Sequence, residues 1–167
     1  MLSFLDRNIL VTGGGSGIGK ATALLLGMQE ASVVIVDQNR ETAHQTVDEL
    51  KQLGCRASAV VADISNPDAV EQMYADTMEN YETLDGVVHC AGIGVERTIL
   101  ETTREEWDRI IAVNLSGTFF CAQGAAKIMT KQRYGRIVLM GSAAGERGGT
   151  GRTAYGASKG GVSAITR

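Results

Sequence analysis

The stretch Val11-Thr12-Gly13-Gly14-Gly15-Ser16-Gly17-Ile18-Gly19 decides how this chain folds. It follows the apolar run Asn8 to Val11 and precedes an amphipathic segment that opens at Ile18, so it reads as a strand, a glycine-rich turn and the start of a helix. Glycine lacks a Cβ, which lets the backbone turn tightly and come close to a bound group. A helix beginning at such a turn offers free N–H groups and a positive dipole end, a combination suited to a pyrophosphate. The spacing is G-x-x-x-G-x-G at Gly13, Gly17 and Gly19 rather than the common G-x-G-x-x-G. By itself the turn is a weak signal, because a ligand-free tight turn would look the same.

Outward from it, short apolar runs alternate with helical patterns along the whole length, the pattern of a parallel sheet with crossover helices. The strands are expected at Asn8 to Val11, Ser32 to Asp37, Arg56 to Ala62, Gly86 to Cys90 and Gly135 to Met140. A helix from Glu41 to Leu53 should end at Gly54, and Ser65-Asn66-Pro67 should open the next, with proline in its first turn. One longer helix is expected from Thr103 to Gln132, and a last one from about Thr153. Right-handed crossovers then give an α/β, Rossmann-type, doubly wound sheet of order 3-2-1-4-5. Its ligand would lie at the carboxyl ends of the strands, beside the switch between strands 1 and 4.

At 167 residues and 44% hydrophobic content the chain suits one dinucleotide-binding domain, 1–167, with a real core. A net charge of −3 without clustered Lys or Arg argues against a nucleic-acid partner. The three cysteines, Cys55, Cys90 and Cys121, are odd in number and widely spaced. They read as reduced core thiols rather than disulfides or a metal site, so no metal is expected. The opening segment has no signal-peptide core and no run is long enough for a membrane span, so a cytoplasmic protein without a membrane partner is expected.

Four residues of the second half carry the chemistry: Asn114, Ser142, Tyr155 and Lys159. Tyr155 and Lys159, four apart, share a helix face, where a lysine charge favours a phenolate. Ser142, thirteen residues before Tyr155, follows strand 5 and can hydrogen-bond a substrate oxygen. At the other end of the pattern, Asp37 closes strand 2, eighteen residues after Gly19, where a carboxylate accepts from both hydroxyls of an adenosine ribose and repels a 2′-phosphate. Together these residues resemble the short-chain dehydrogenase/reductase family, from about Asn8 to Arg167.

The resemblance implies hydride transfer between NAD(H) and a secondary alcohol or ketone, such as a sugar, steroid, hydroxyacyl or small cyclic alcohol. In it Tyr155 is the proton donor and acceptor, Ser142 and Tyr155 hold the substrate, Lys159 also reaches the nicotinamide ribose, and Asn114 holds a water that links the lysine to solvent. The cofactor set it implies is Gly13, Gly15, Ser16, Gly17, Ile18 and Gly19 of the turn, with Asp37, Asp63, Ile64, Cys90, Ala91, Gly92, Tyr155 and Lys159. NAD is favoured because of Asp37 and because the turn has no arginine before Gly17, although Arg40 stands nearby.

His89-Cys90-Ala91-Gly92 stands where the family usually has Asn-Asn-Ala-Gly, and His89 reads as a satisfied structural histidine, with His44 at the surface. The glycine-rich loop from Gly145 to Arg152 would wall one side of the substrate pocket, with Glu146, Arg147 and Arg152 as its charges. Apolar excess on the helix from Thr103 to Gln132 (Trp107, Ile110, Ile111, Phe119, Phe120, Ile128) suggests a subunit interface, and the resemblance implies a homodimer or homotetramer. The family continues for two more strands, so the chain is expected to be incomplete at its C-terminus, with Ile137-Val138-Leu139-Met140 left as an open sheet edge. Two readings stay open: an NAD-dependent enzyme, or a truncated NAD-binding remnant or interaction subunit without turnover.

Overall fold

The computed structural model describes residues 3–166; Met1, Leu2 and Arg167, the position to which the family resemblance runs, lie outside the described residues. Five parallel strands, β1 (Asn8–Thr12), β2 (Ser32–Asp37), β3 (Ala57–Val61), β4 (Gly86–His89) and β5 (Arg136–Leu139), form one sheet of order β3-β2-β1-β4-β5. The order is the one expected from right-handed crossovers.

Because both faces of the sheet are covered, consecutive strand residues feed opposite cores. Ile9, Val11, Val33 and Ile35 pack with Ala23 of helix α1 (Gly17–Met28) and with Ala43, Val47 and Leu50 of α2 (Arg40–Gln52). Leu10, Val34, Val36 and Val87 pack with Val70, Met73 and Tyr74 of α3 (Pro67–Asn80) and, beyond it, with Cys121, Ala125 and Met129. Helix starts follow their capping residues: the Asn39 side chain accepts from the Thr42 N–H at 3.2 Å, and Asn66 accepts from the Asp68 N–H at 3.0 Å with Pro67 beginning α3. At the other end of α2, Gly54 takes φ +80°, as a helix-terminating glycine should.

Two elements differ from the sequence expectation. The long helix is not one α-helix. It divides into α4 (Arg104–Ile111), a π-helical turn (Ala112–Gly117) and α5 (Thr118–Gln132). The wider turn accompanies two tight contacts. Asn114 is fully buried and bonded to the chain at Ile93, and Gly117 is packed so closely on Ile64 that a Cβ would lie 2.8 Å from the Ile64 carbonyl oxygen. The expected loop from Gly145 is also partly helical. A short α6 (Ala143–Arg147), started by the Ser142 hydroxyl accepting from the Ala144 N–H at 3.2 Å, takes up Gly145, Glu146 and Arg147 before α7 (Thr153–Ile165) begins. Gly145 lets α6 lie against α7: a Cβ there would stand 2.6 Å from the Gly160 nitrogen. Among the described residues, β5 has a partner strand on one side only, and Val138 is 50% exposed.

Candidate active site

The turn after β1 opens a cleft of about 600 Å³ at the carboxyl ends of β1, β2, β3 and β4. Gly13 has φ +65°, and a Cβ on it would lie 2.8 Å from the backbone of Ala91, so the first and fourth strands meet there backbone to backbone. Gly19 presses on Gly13 so closely that any side chain would collide with the Gly13 carbonyl. Gly17, at φ +52°, has nothing within 4 Å of where a Cβ would be and faces open space at the helix start. This cradle fits a dinucleotide: backbone N–H groups at the start of α1 border a space that a side chain on Gly17 would enter, while Gly13 and Gly19 let the turn close behind it. Gly13, Ser16, Gly17, Ile18 and Gly19 line the cleft with Asp37, Asp63 and Ile64, and Cys90, Ala91 and Gly92 complete it.

Gly15 does not line the cleft. Its N–H donates to Asp37 Oδ2 at 3.0 Å, and a Cβ would stand 2.9 Å from the same oxygen. Asp37 Oδ1 accepts from the Asn39 N–H, also at 3.0 Å, so two backbone donors orient the carboxylate. Asp63 is oriented in the same manner by the N–H and hydroxyl of Ser65, at 2.9 and 2.8 Å. Residues that the sequence reading missed include Gln38, Ile93, Arg109, Ala112 and Val113, all on the cleft wall. The positions of Arg109, Ala112 and Val113 depend on where α4 and the π turn pass over the sheet, a path that no sequence motif encodes, whereas Gln38 and Ile93 follow β2 and β4 beside residues already in the set.

A second cavity of about 440 Å³ adjoins the first and shares Ile18, Cys90, Gly92 and Ile93 with it. Tyr155 and Lys159 line it, together with Met140 and Gly141 from the end of β5 and with Glu96 and Arg152. Lys159 is 5% exposed; its Nζ donates to the Met140 carbonyl at 2.7 Å and stands 5.9 Å from the centre of the Tyr155 ring. Burial holds the Lys159 ammonium below the usual lysine value, with the nearby Cys90 acting in the opposite direction. Ser142 lies one residue beyond Gly141 and caps α6. Asn114 is set behind this cavity: Oδ1 accepts from the Ile93 N–H at 2.8 Å, and Nδ2 donates to the Ile93 carbonyl at 2.8 Å and to Ser158 Oγ at 3.3 Å. Ser158 Oγ in turn donates to the Tyr155 carbonyl at 2.7 Å. The asparagine side chain therefore ties the segment after β4 to the helix that carries Tyr155 and Lys159.

The wall of the second cavity is stitched across the sheet end. The Arg97 N–H donates to the Gly151 carbonyl at 2.8 Å, and Arg152 pairs with Glu96 at 2.9 Å. Arg152 thus reaches the cavity, whereas Glu146 and Arg147 belong to the exposed side of α6.

Two readings of single residues change. His89 is buried, but only half satisfied: Nδ1 bonds to Thr12 Oγ1 at 2.9 Å while Nε2 has no partner among the described residues. Burial, with Lys159 adding to it, pushes its imidazole down to about 4. Of the cysteines, Cys121 is a buried core thiol pushed up to about 12 by burial, but Cys55 and Cys90 are half-buried, and Cys90 lines both cavities. The described residues contain no group of three or more His, Cys, Asp or Glu able to hold a metal ion. No helix among them is long and apolar enough to cross a membrane.

Comparison with known proteins gives matches along nearly the whole chain. Residues 7–167 match the family described as short chain dehydrogenase. The BbsD subunit of (2S)-[(R)-hydroxy(phenyl)methyl]succinyl-CoA dehydrogenase from Thauera aromatica is 40% identical, over 97% of this chain and 65% of its own length. A 3-oxoacyl-[acyl-carrier-protein] reductase from Synechocystis sp. is 38% identical, over 100% of this chain and 68% of its own. Among solved structures, an NAD+-bound xylitol dehydrogenase superposes with a TM-score of 0.95 at 30% identity, covering 98% of this chain and 63% of that one. The chain thus spans about two thirds of the length of these relatives.

Proposed function

The chain belongs to the short-chain dehydrogenase family, and from that membership and the joined cavities we propose that it is an oxidoreductase moving a hydride between NAD(H) and a secondary alcohol or ketone. The observation that carries the reading is that Tyr155 and Lys159 line a cavity whose shared wall, Ile18, Cys90, Gly92 and Ile93, also closes the glycine-turn cleft. NAD(H) held along that cleft supplies or accepts the hydride.

The remaining chemistry falls to this chain's side chains. Tyr155 gives its phenolic proton to the substrate oxygen in reduction and takes it back in oxidation. Lys159 sets a positive charge beside the oxyanion that this transfer leaves on the ring. Ser142 Oγ already accepts from the Ala144 N–H, so its own hydrogen is free to donate to the substrate oxygen and hold it. Asn114 keeps the Ile93 segment and the Tyr155 helix in register, a positioning role built from its three hydrogen bonds. Asp37, with both oxygens aimed by backbone donors, accepts from the adenosine ribose hydroxyls, and its charge disfavours a 2′-phosphate. On the same reading, residues 1–167 form a cytoplasmic, single dinucleotide-binding domain that assembles as a homo-oligomer and needs neither nucleic acid nor membrane.

Fluorescence titration with NADH and NADPH, paired with a panel of secondary alcohols, tests the proposal. Tighter binding of NADH, narrowed by Asp37→Ala, and NAD+-dependent oxidation are expected. Equal affinity for the two cofactors would sink the NAD assignment, and absence of turnover on every alcohol would sink the enzyme.

A further inference from the structure

Arg109 lines the glycine-turn cleft and, among the described residues, is the only cationic side chain that does so. It is exposed on the last turn of α4 and forms no ion pair or side-chain hydrogen bond among the described residues. The two carboxylates in the same cleft are held by their own chain neighbours, Asp37 by the Gly15 and Asn39 N–H groups and Asp63 by Ser65. Arg109 is therefore a cation with no protein partner among the described residues.

Its location follows from the path of the helices. They run from the carboxyl end of β4 to the amino end of β5, antiparallel to the strands, and Gly117 abuts Ile64. Arg109, eight residues earlier, lies about 12 Å further out at ~1.5 Å per residue, and so overhangs the mouth of the cleft. Ala112 and Val113, between the two, present an apolar wall that Ile64 continues. A slot with apolar sides and a planar, weakly hydrated cation across its opening suits a flat aromatic ring, over whose face a guanidinium lies well. The pyrophosphate end of the cleft is elsewhere, at the start of α1.

We propose that Arg109 is a binding residue for the adenine base of the dinucleotide, its guanidinium laid over the ring against the Ile64–Val113 wall. The inference rests on reading the cleft as a dinucleotide site. Dissociation constants of NADH, AMP and reduced nicotinamide mononucleotide, which lacks the adenine, test it at a low and a high ionic strength. Arg109→Ala should weaken NADH and AMP about fivefold, or about 1 kcal/mol, and leave the mononucleotide unchanged. Arg109→Lys, which keeps the charge but not the plane, should recover less than half of that loss. Unchanged NADH binding in Arg109→Ala would overturn the proposal. So would equal weakening of the mononucleotide, or full recovery by lysine with a steep salt dependence, which would assign the contact to phosphate. An unmodified protein that binds neither NADH nor AMP would overturn the dinucleotide reading itself, and this inference with it.

Discussion

Tyr155→Phe removes one oxygen from the site and leaves the shape of both cavities, so it should abolish turnover, by at least about a hundredfold, while NADH affinity stays within about twofold. Steady-state rates and a binding titration on the same preparation check both halves. Near-normal activity would mean that the proton is handled elsewhere. Lys159→Ala should lower turnover and cofactor affinity together, since it removes both the charge beside the phenol and the ammonium proposed to reach the nicotinamide ribose.

His89 supplies a pH test. Its imidazole stands near 6.5 when unfolded and is pushed down to about 4 when folded, so the unfolded chain binds the extra proton between those values. Stability should be fully present above about pH 6.5 and fall as the pH drops toward 4, by up to about 3 kcal/mol from this residue. Urea unfolding of the unmodified protein and of His89→Asn across that window checks it, and identical pH slopes would refute it. At this scale much was legible in the sequence: Asp37 and Asp63 stand at the strand ends where their spacing put them. The half-satisfied state of His89 was not, because the one partner it has among the described residues, Thr12, stands on β1 nearly eighty residues away.

Among the elements, the crossing of α3 and α5 has one hard constraint. A Cβ on Gly124 would run into the ring of Tyr74, whose hydroxyl is itself anchored to the Cys121 carbonyl at 2.6 Å. Alanine in mid-helix ordinarily stabilises by about 1 kcal/mol relative to glycine. Here the collision with a buried, tethered ring should outweigh that gain, leaving Gly124→Ala destabilised by about 1–2 kcal/mol. Thermal unfolding decides the sign, and a raised Tm would show that Tyr74 moves aside freely.

The strands and most helices were readable because apolar runs, Asn39, Pro67 and Gly54 are local signals. The π turn was not, since Ala112 to Gly117 has ordinary helical periodicity and is widened by what Asn114 and Gly117 touch. Helix α6 was hidden by its own glycine, which reads as loop until α7 is packed against it.

For the molecule as a whole, Trp107 and Phe119 keep 39% and 45% of their surface exposed, while Ile110 is buried. The apolar excess seen in the sequence is therefore smaller than it looked, yet two aromatic side chains still face outward. Light scattering at micromolar concentration should show an oligomer that Phe119→Glu dissociates, and a stable monomer in the unmodified protein would count against it. The strand order was recoverable because handedness prunes the topologies; the half-open flank at Val138 depends on which segments cover β5.

The two cavities share one wall, Ile18, Cys90, Gly92 and Ile93. Whichever molecule settles in the larger space becomes part of the smaller one's floor. On the proposed reading such a floor predicts a sequence of arrivals: the dinucleotide should enter first and leave last, and an inhibitor confined to the Tyr155 chamber should act uncompetitively against it, which steady-state inhibition patterns check.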